Sequence, residues 1–199
     1  MSRRFLIVYA TSYGQTAKIA GRMADLLMAS GEAVTLVNAC NHPRDFHAGE
    51  FDGVIVGGSI IGGRHHRALV RFVRAHRVLL NAIPSAFFSV SGSAASPLET
   101  ERAKARQLVD QFLDTAGWQP VRTETIGGAM SYTKYNPFLR WFMKRASKAG
   151  GGPTDTSRDH EMTDWSQVER FVEAFVETVP MPAETPALVS TSGTNHHGR

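Results

Sequence analysis

Short apolar runs alternate with amphipathic stretches over most of the chain. Residues 4–9 carry Phe5-Leu6-Ile7-Val8 between a pair of arginines and a polar turn, the pattern of a buried strand. Residues 16–28 place Ala20, Met23, Ala24 and Leu27 on one helical face, and Gly31 supplies a stop. Residues 33–38, rich in β-branched side chains, and 54–58, ended by glycines, predict the second and third strands. A helix follows over 67–80 with Leu69, Val70, Phe72 and Val73. A fourth strand is predicted at 84–90 and a fifth at 120–126, with a long helix over 98–116 between them. The last helix, 165–179, has an inner stripe of Trp165, Val168, Val172, Phe175 and Val179, with Thr163 or Asp164 as its cap.

Strands and helices that alternate five times predict an α/β fold, a doubly wound five-stranded parallel sheet. The pattern gives one domain over 1–179, with an insert at about 130–152 after the fifth strand. The segment 180–199 carries Pro, Ser, Thr, Gly and His without periodicity and is expected to be a disordered tail. In such sheets ligands sit outside the carboxyl ends of the strands, where strand order reverses. The loops that matter are therefore 10–15, 59–66, 91–96 and 127–152.

Composition narrows the class. Apolar residues at 42% and charged residues at 20% are ordinary for a globular protein. No run approaches the roughly 18–20 apolar residues of a membrane-spanning helix, and the N-terminal apolar run is too short for a signal peptide. The single cysteine, Cys40, excludes an internal disulfide framework and fits a reducing compartment. A net charge of +4 implies an anionic partner: nucleic acid, acidic lipid or a carboxylated substrate. No acidic residue lies between Glu124 and Asp155, whereas Lys134, Arg140, Lys144, Arg145 and Lys148 do. No nucleic-acid motif accompanies the charge. His65-His66 lacks a nearby third ligand, so no metal site is expected and the pair reads as surface or ligand-edge. Ser59, Ser89 and Ser91 stand outside any G-x-S-x-G elbow.

The first of these loops reads Thr11-Ser12-Tyr13-Gly14-Gln15-Thr16 and runs straight into a helix. Free backbone N–H groups and the positive end of the helix dipole suit a phosphate there. Hydroxyls at Thr11, Ser12 and Thr16 add donors, and Gly14 lets the backbone curl. Without a lysine it is not a G-x-x-x-x-G-K-[ST] loop, and there is no G-x-G-x-x-G. The competing reading is a hydroxyl that merely caps the helix.

These residues resemble the phosphate loop of the flavodoxin family, [ST]-x-T-G-x-T, matching at Thr11, Gly14 and Thr16, with Tyr13 in place of the usual threonine. The resemblance implies that flavin mononucleotide (FMN) is held by Thr11, Ser12, Tyr13, Gly14, Gln15 and Thr16. Ser59, Ile60, Ile61, Gly62 and Gly63 would then lie on one side of its ring, and Ser91, Gly92, Ser93 and Ala94 on the other. Further segments resemble one branch, the menaquinone-dependent protoporphyrinogen dehydrogenases of haem synthesis. They are Gly-Gln-Thr at 14–16, Val-Gly-Gly-Ser-Ile at 56–60, Pro-Ser-Ala-Phe-Phe-Ser-Val at 84–90, Gly-Gly-Ala-Met-Ser-Tyr at 127–132, Gly-Gly-Pro-Thr-Asp-Thr at 151–156 and Thr-Asp-Trp at 163–165. Gly62 and Arg64 depart from that branch, which has an aromatic and a histidine there, and the 91–96 loop is smaller and more polar.

The branch implies oxidation of protoporphyrinogen IX, or another anionic apolar substrate, with a membrane quinone as acceptor. It implies a cytoplasmic protein, peripheral on the inner membrane. Residues 137–149, taken as a helix, carry Phe138, Leu139, Trp141, Phe142, Met143 and Ala146 on one face and Arg140, Lys144 and Lys148 opposite, with Arg145 inside the apolar arc. Two readings stand: a core-packed helix with a solvated basic face, or an element that meets substrate or an anionic membrane through Tyr132, Lys134, Arg140, Trp141, Lys144 and Arg145. Tyr13 and Tyr132 are the tyrosines expected to touch the flavin. The alternatives are an electron carrier, a class typically acidic where this chain is basic, a nicotinamide-dependent flavin or quinone reductase, and a flavin-free relative.

Overall fold

The computed structural model describes residues 2–41 and 50–182. The expected tail therefore lies, beyond Pro182, outside the described residues. Five parallel strands form the sheet: β1 (Arg4–Ala10), β2 (Ala33–Asn38), β3 (Gly53–Ile61), β5 (Ser85–Ser91) and β6 (Arg122–Gly127). Their spatial order is β2-β1-β3-β5-β6. In β1, successive side chains alternate between the two faces, as strand geometry requires. Phe5 and Ile7 join one core, with Ile55, Phe88 and Phe175, under α1 (Gln15–Ala29) and α6 (Trp165–Val176). Leu6 and Val8 join the other, with Val56, Phe72, Phe87 and Trp118, under α2 (Arg67–Ala75) and α4 (Glu99–Ala116). Both faces are covered, so the central strands read as unbroken apolar runs. Chain order reverses between β1 and β3, which places a switch point at their carboxyl ends.

Two expectations are corrected here. The helix expected over 67–80 is two, α2 and α3 (Arg77–Ala82), broken at His76. Val73 and Leu80, both buried, are seven apart, so the apolar period runs through the break unchanged. The loop expected at 59–66 is a hairpin: β3 continues to Ile61 and pairs antiparallel with β4 (Arg64–His65). Gly62 (φ 58°) and Gly63 (φ 74°) form its two-residue turn, with the positive φ at both positions that a type I′ turn requires.

After β6 the chain makes an excursion closed at its base by β7 (Ala129–Met130) pairing with β8 (His160–Glu161). It contains α5 (Pro137–Ala149), capped by the Asn136 side chain accepting the Leu139 N–H at 2.8 Å. The 151–156 segment is its clasp. The Pro153 carbonyl accepts the Tyr132 and Ser147 hydroxyls, each at 2.7 Å. A Cβ on Gly152 would lie 2.6 Å from the Ser147 hydroxyl. The Thr163-Asp164-Trp165 segment ties the return to the sheet. Thr163 donates to the Gly127 carbonyl (2.7 Å) and accepts from the Gln15 amide (2.8 Å), and Asp164 caps α6 by accepting the Ser166 and Gln167 N–H groups.

Candidate active site

The loops after β1, β3, β5 and β6 border one groove of about 450 Å³, lined by Thr11, Ser12, Tyr13, Gln15, Thr16, Ser59, Ile60, Ile61, Ser91 and Gly92 among others. A second, of about 990 Å³, continues it past Ile60, Ser91 and Met130 toward Leu108 and Phe142. At the inner end, α1 starts at Gly14 (φ 102°) with no side-chain cap and no acidic residue in its first turn. The Thr11 hydroxyl accepts the Gly14 N–H at 2.9 Å, which shapes the turn but does not cap the helix. The first intrahelical bond runs from the Lys18 N–H to the Gly14 carbonyl at 3.0 Å, leaving the preceding N–H groups at the free positive end of the helix.

Thr16 is 1% exposed, and its hydroxyl oxygen has no hydrogen-bond partner; the buried Ser59 hydroxyl on β3 has none either. An unmet buried hydroxyl costs about 1–3 kcal/mol, and both residues line the same groove. Two cations, Lys18 and Lys134, line an adjoining pocket beside Gly14 together with Asp159 and Glu161. Lys134 donates to the Tyr13 carbonyl at 3.1 Å. Lys18 pairs with Glu161 at 2.5 Å, and that hydrogen bond holds the Glu161 carboxyl below the usual carboxylate range. The inner end can thus take a phosphate, with the free N–H groups and positive dipole of the helix start and nearby hydroxyls to meet it.

The sequence-derived residues divide. Ser91 is nearly buried and accepts the Ala94 N–H at 3.2 Å, shaping the turn, while Gly92 and Ser93 line the outer groove. Ala94 lines neither groove. Gly62 and Gly63 lie at the hairpin tip on the rim of the outer groove. Tyr13 stands in the inner groove, with its ring edge-on to Tyr135 at 4.7 Å. Tyr132 does not reach it. It is 0% exposed and hydrogen-bonded beneath the excursion, and Tyr135, three residues on across a 3-10 turn, takes the lining place. Burial raises the Tyr135 pKa, so it stays a neutral phenol. Arg140 points inward and donates to the Tyr132 and Tyr135 carbonyls at 3.0 and 3.1 Å, so it staples the excursion and is not a surface cation. Lys144 and Arg145 are exposed, and Trp141 is 61% exposed. Met130 and Met143 line both grooves; in the sequence Met130 stands only within the 127–132 segment and Met143 only in the apolar arc of 137–149, and neither is singled out as a site residue.

His65 is not a surface residue, and it lines neither of these two grooves. It is buried against Phe87 and Phe112, with Nε2 3.0 Å from the Ser89 hydroxyl. Burial pushes its pKa down to about 4. The unfolded chain therefore takes up this proton first as pH falls. The stability His65 contributes is complete above its unfolded value of 6.5 and is lost as pH falls toward 4. The size is about 3 kcal/mol, taking about 1.4 kcal/mol per pH unit. Urea unfolding of wild type and His65→Gln across that range should show the variant flatter by this amount; parallel curves would mean that His65 protonates freely in the fold. Among the described residues no three His, Cys, Asp or Glu converge on a metal position, and no helix is long and apolar enough to cross a membrane.

The sheet is doubly wound, and its first loop runs into an uncapped helix at the switch point, the arrangement of an α/β nucleotide fold. A flavodoxin domain model matches residues 6–157, and the chain belongs to that family. It is homologous to curated quinone-dependent dehydrogenases. Over 177 residues it is 33% identical to protoporphyrinogen IX dehydrogenase (quinone) of Escherichia coli strain K12, covering 89% of this chain and 97% of that protein. The protein of the same name from Leishmania major is 29% identical over 204 residues, covering 98% and 88%. Among solved structures, oxidised flavodoxin 1 of Bacillus cereus superposes with a TM-score of 0.57 at 16% identity, covering 89% of this chain and 99% of that one. An archaeal flavodoxin superposes at 0.53 and 15% identity, covering 88% and 97%.

Proposed function

We propose that the protein is an FMN-dependent dehydrogenase that oxidises protoporphyrinogen IX to protoporphyrin IX and passes the electrons to a quinone. The observation that carries the cofactor is the partnerless Thr16 hydroxyl beside an uncapped helix end, on a residue that lines the inner groove. The curated relatives carry the reaction. The residues present fit FMN. The N–H groups and hydroxyls of 11–16 hold its phosphate, and Ser59 to Ile61 and Ser91 to Ser93 flank its ring. Flavin, when bound, supplies the electron acceptor. The chain supplies position and an apolar surround. Ile60, Ile61, Leu108, Met130, Phe142 and Met143 give the outer groove an apolar lining suited to a tetrapyrrole. Its charged residues, Glu101 and Lys104, neutralise each other at 2.6 Å. Among the described residues no unpaired carboxylate or histidine lines either groove, which fits chemistry vested in the cofactor.

The excursion supports peripheral contact with an anionic membrane, where a quinone dissolves. Phe138, Trp141 and Phe142 are 77%, 61% and 48% exposed beside exposed Lys144, Arg145 and Lys148, and no carboxylate interrupts them. Phe138→Asp with Trp141→Asp should lower binding to phosphatidylglycerol vesicles about tenfold or more, since each ring buried contributes about 1.5–3 kcal/mol. FMN affinity should be unchanged. Equal vesicle binding would remove α5 as the contact. The proposed activity is tested by anaerobic half-reactions of the flavin-loaded protein. Protoporphyrinogen should bleach the flavin spectrum and NADPH should not; the reverse would make the protein a nicotinamide-dependent reductase.

A further inference from the structure

Beyond the hairpin tip the outer groove gives way to another, of about 1530 Å³, between α2 and α4. One wall is Arg64 on β4 with Arg67, Arg71 and Arg74 on α2. The three helical arginines are spaced four and three residues apart, so they share one face. All four are exposed, and among the described residues none forms an ion pair or hydrogen bond. The α4 face opposite presents Leu108, Gln111, Phe112 and Thr115, every one uncharged, while Asp110 and Asp114 of the same helix lie off the groove. Among the described residues no carboxylate lines it.

This arrangement opposes stability. Like charges one helical turn apart repel. Arg67 also stands at the first position of α2, where the dipole disfavours a cation, and α2 contains no acid to offset it. Several other arginines are paired: Arg102 and Arg106 both reach Glu99, and Arg22 reaches Glu169. Four unpaired guanidinium groups over an apolar floor of Val70, Leu108 and Phe112 match a ligand with carboxylates on short aliphatic arms. The groove is also continuous with the proposed substrate groove. Gly63 and Leu108 line both, and Gly62 and Gly63 leave the rim between them without side chains.

We propose that this arginine-lined groove is the subsite for the substrate's carboxylates: a tetrapyrrole ring occupies the outer groove and its propionate arms cross the Gly62-Gly63 rim to Arg64, Arg67, Arg71 and Arg74. The proposal rests on the porphyrinogen reading above and moves the anion-recognising charge from the excursion to α2. It also gives Arg64 and the bare glycine turn a joint role, since a cation lies directly behind a rim low enough to cross.

The test compares protoporphyrin IX with its dimethyl ester, which keeps the ring and removes both charges, by fluorescence titration of the flavin-loaded protein at low salt. Wild type should bind the diacid about tenfold or more tighter than the diester, the effect of two charge-assisted pairs at a partly exposed site. Arg67→Gln with Arg71→Gln should bind the diester as wild type does and lose the preference for the diacid. FMN affinity and melting temperature report the fold, and the melting temperature should hold or rise as repulsion is relieved. Equal binding of diacid and diester by wild type, or a preference retained in the variant, overturns the subsite while the porphyrin reading survives. Binding of neither porphyrin overturns both. A variant that keeps the preference but loses affinity for phosphatidylglycerol vesicles would make the groove a lipid contact and also overturn the proposal.

Discussion

Thr16→Val should weaken FMN binding about ten- to hundredfold while leaving the flavin-free protein as stable as wild type or more so. The two halves have one cause. In the flavin-free fold the Thr16 hydroxyl is buried without a partner, and valine has the same shape without that unmet group. Removing the penalty, about 1–3 kcal/mol, favours the flavin-free fold. When FMN is present, the same hydroxyl donates to a charged phosphate. Such a bond contributes about 1.5–3 kcal/mol, which sets the affinity loss. A residue that only packs would show the opposite stability sign. Gly14→Val provides the contrast. Its φ of 102° is closed to a β-branched residue. That variant should lose both flavin affinity and about 1–3 kcal/mol of stability. Isothermal titration with FMN and urea unfolding of the flavin-free proteins read both quantities. Thr16→Val with unchanged FMN affinity would remove the phosphate assignment.

Gly57→Ala should be the most damaging methyl group that can be added to the sheet. Gly57 lies in β3 beside Phe88 of β5, and a Cβ there would sit 1.9 Å from the Phe88 ring. The ring cannot withdraw, because Phe88 is 0% exposed and packs edge-on against Phe171 of α6. Overpacking of this kind costs about 3 kcal/mol or more when the neighbour is a locked aromatic. The strain would fall on β3 two residues before Ser59, so FMN affinity should drop with stability. Adding Phe88→Leu should recover part of the loss, because the two changes share one contact. Thermal melting of the two single variants and the double variant measures the coupling; additive losses would mean that the glycine is not held open for the ring.

The sheet was legible because its central strands are buried on both faces and read as short continuous apolar runs. The phosphate loop was legible from a hydroxyl-rich turn at the end of the first. What stayed hidden depends on what faces what. Gly62-Gly63 read as loop, since a run of two glycines does not distinguish a hairpin turn from an open connection. Tyr132 and Tyr135 differ in role only because a 3-10 turn rotates one into the groove and the other beneath it. In α5 the aromatic arc faces outward and the buried face is Leu139, Arg140, Met143 and Ser147. Polar side chains can face inward there because backbone carbonyls of Tyr132, Tyr135 and Pro153 receive them. The α2 arginines look like an ordinary solvated face in the sequence. Their isolation appears only when the uncharged face of α4 is set opposite.

The central claim, that this family member is a porphyrinogen dehydrogenase and not an electron carrier, is tested most directly by anaerobic turnover. FMN-reconstituted protein is mixed with protoporphyrinogen IX and menaquinone, and protoporphyrin fluorescence is followed together with quinone reduction. Sustained porphyrin formation that requires both FMN and quinone, and is lost in Gly14→Val, is the predicted result. A protein that binds FMN with full occupancy yet yields porphyrin no faster than free FMN would contradict it.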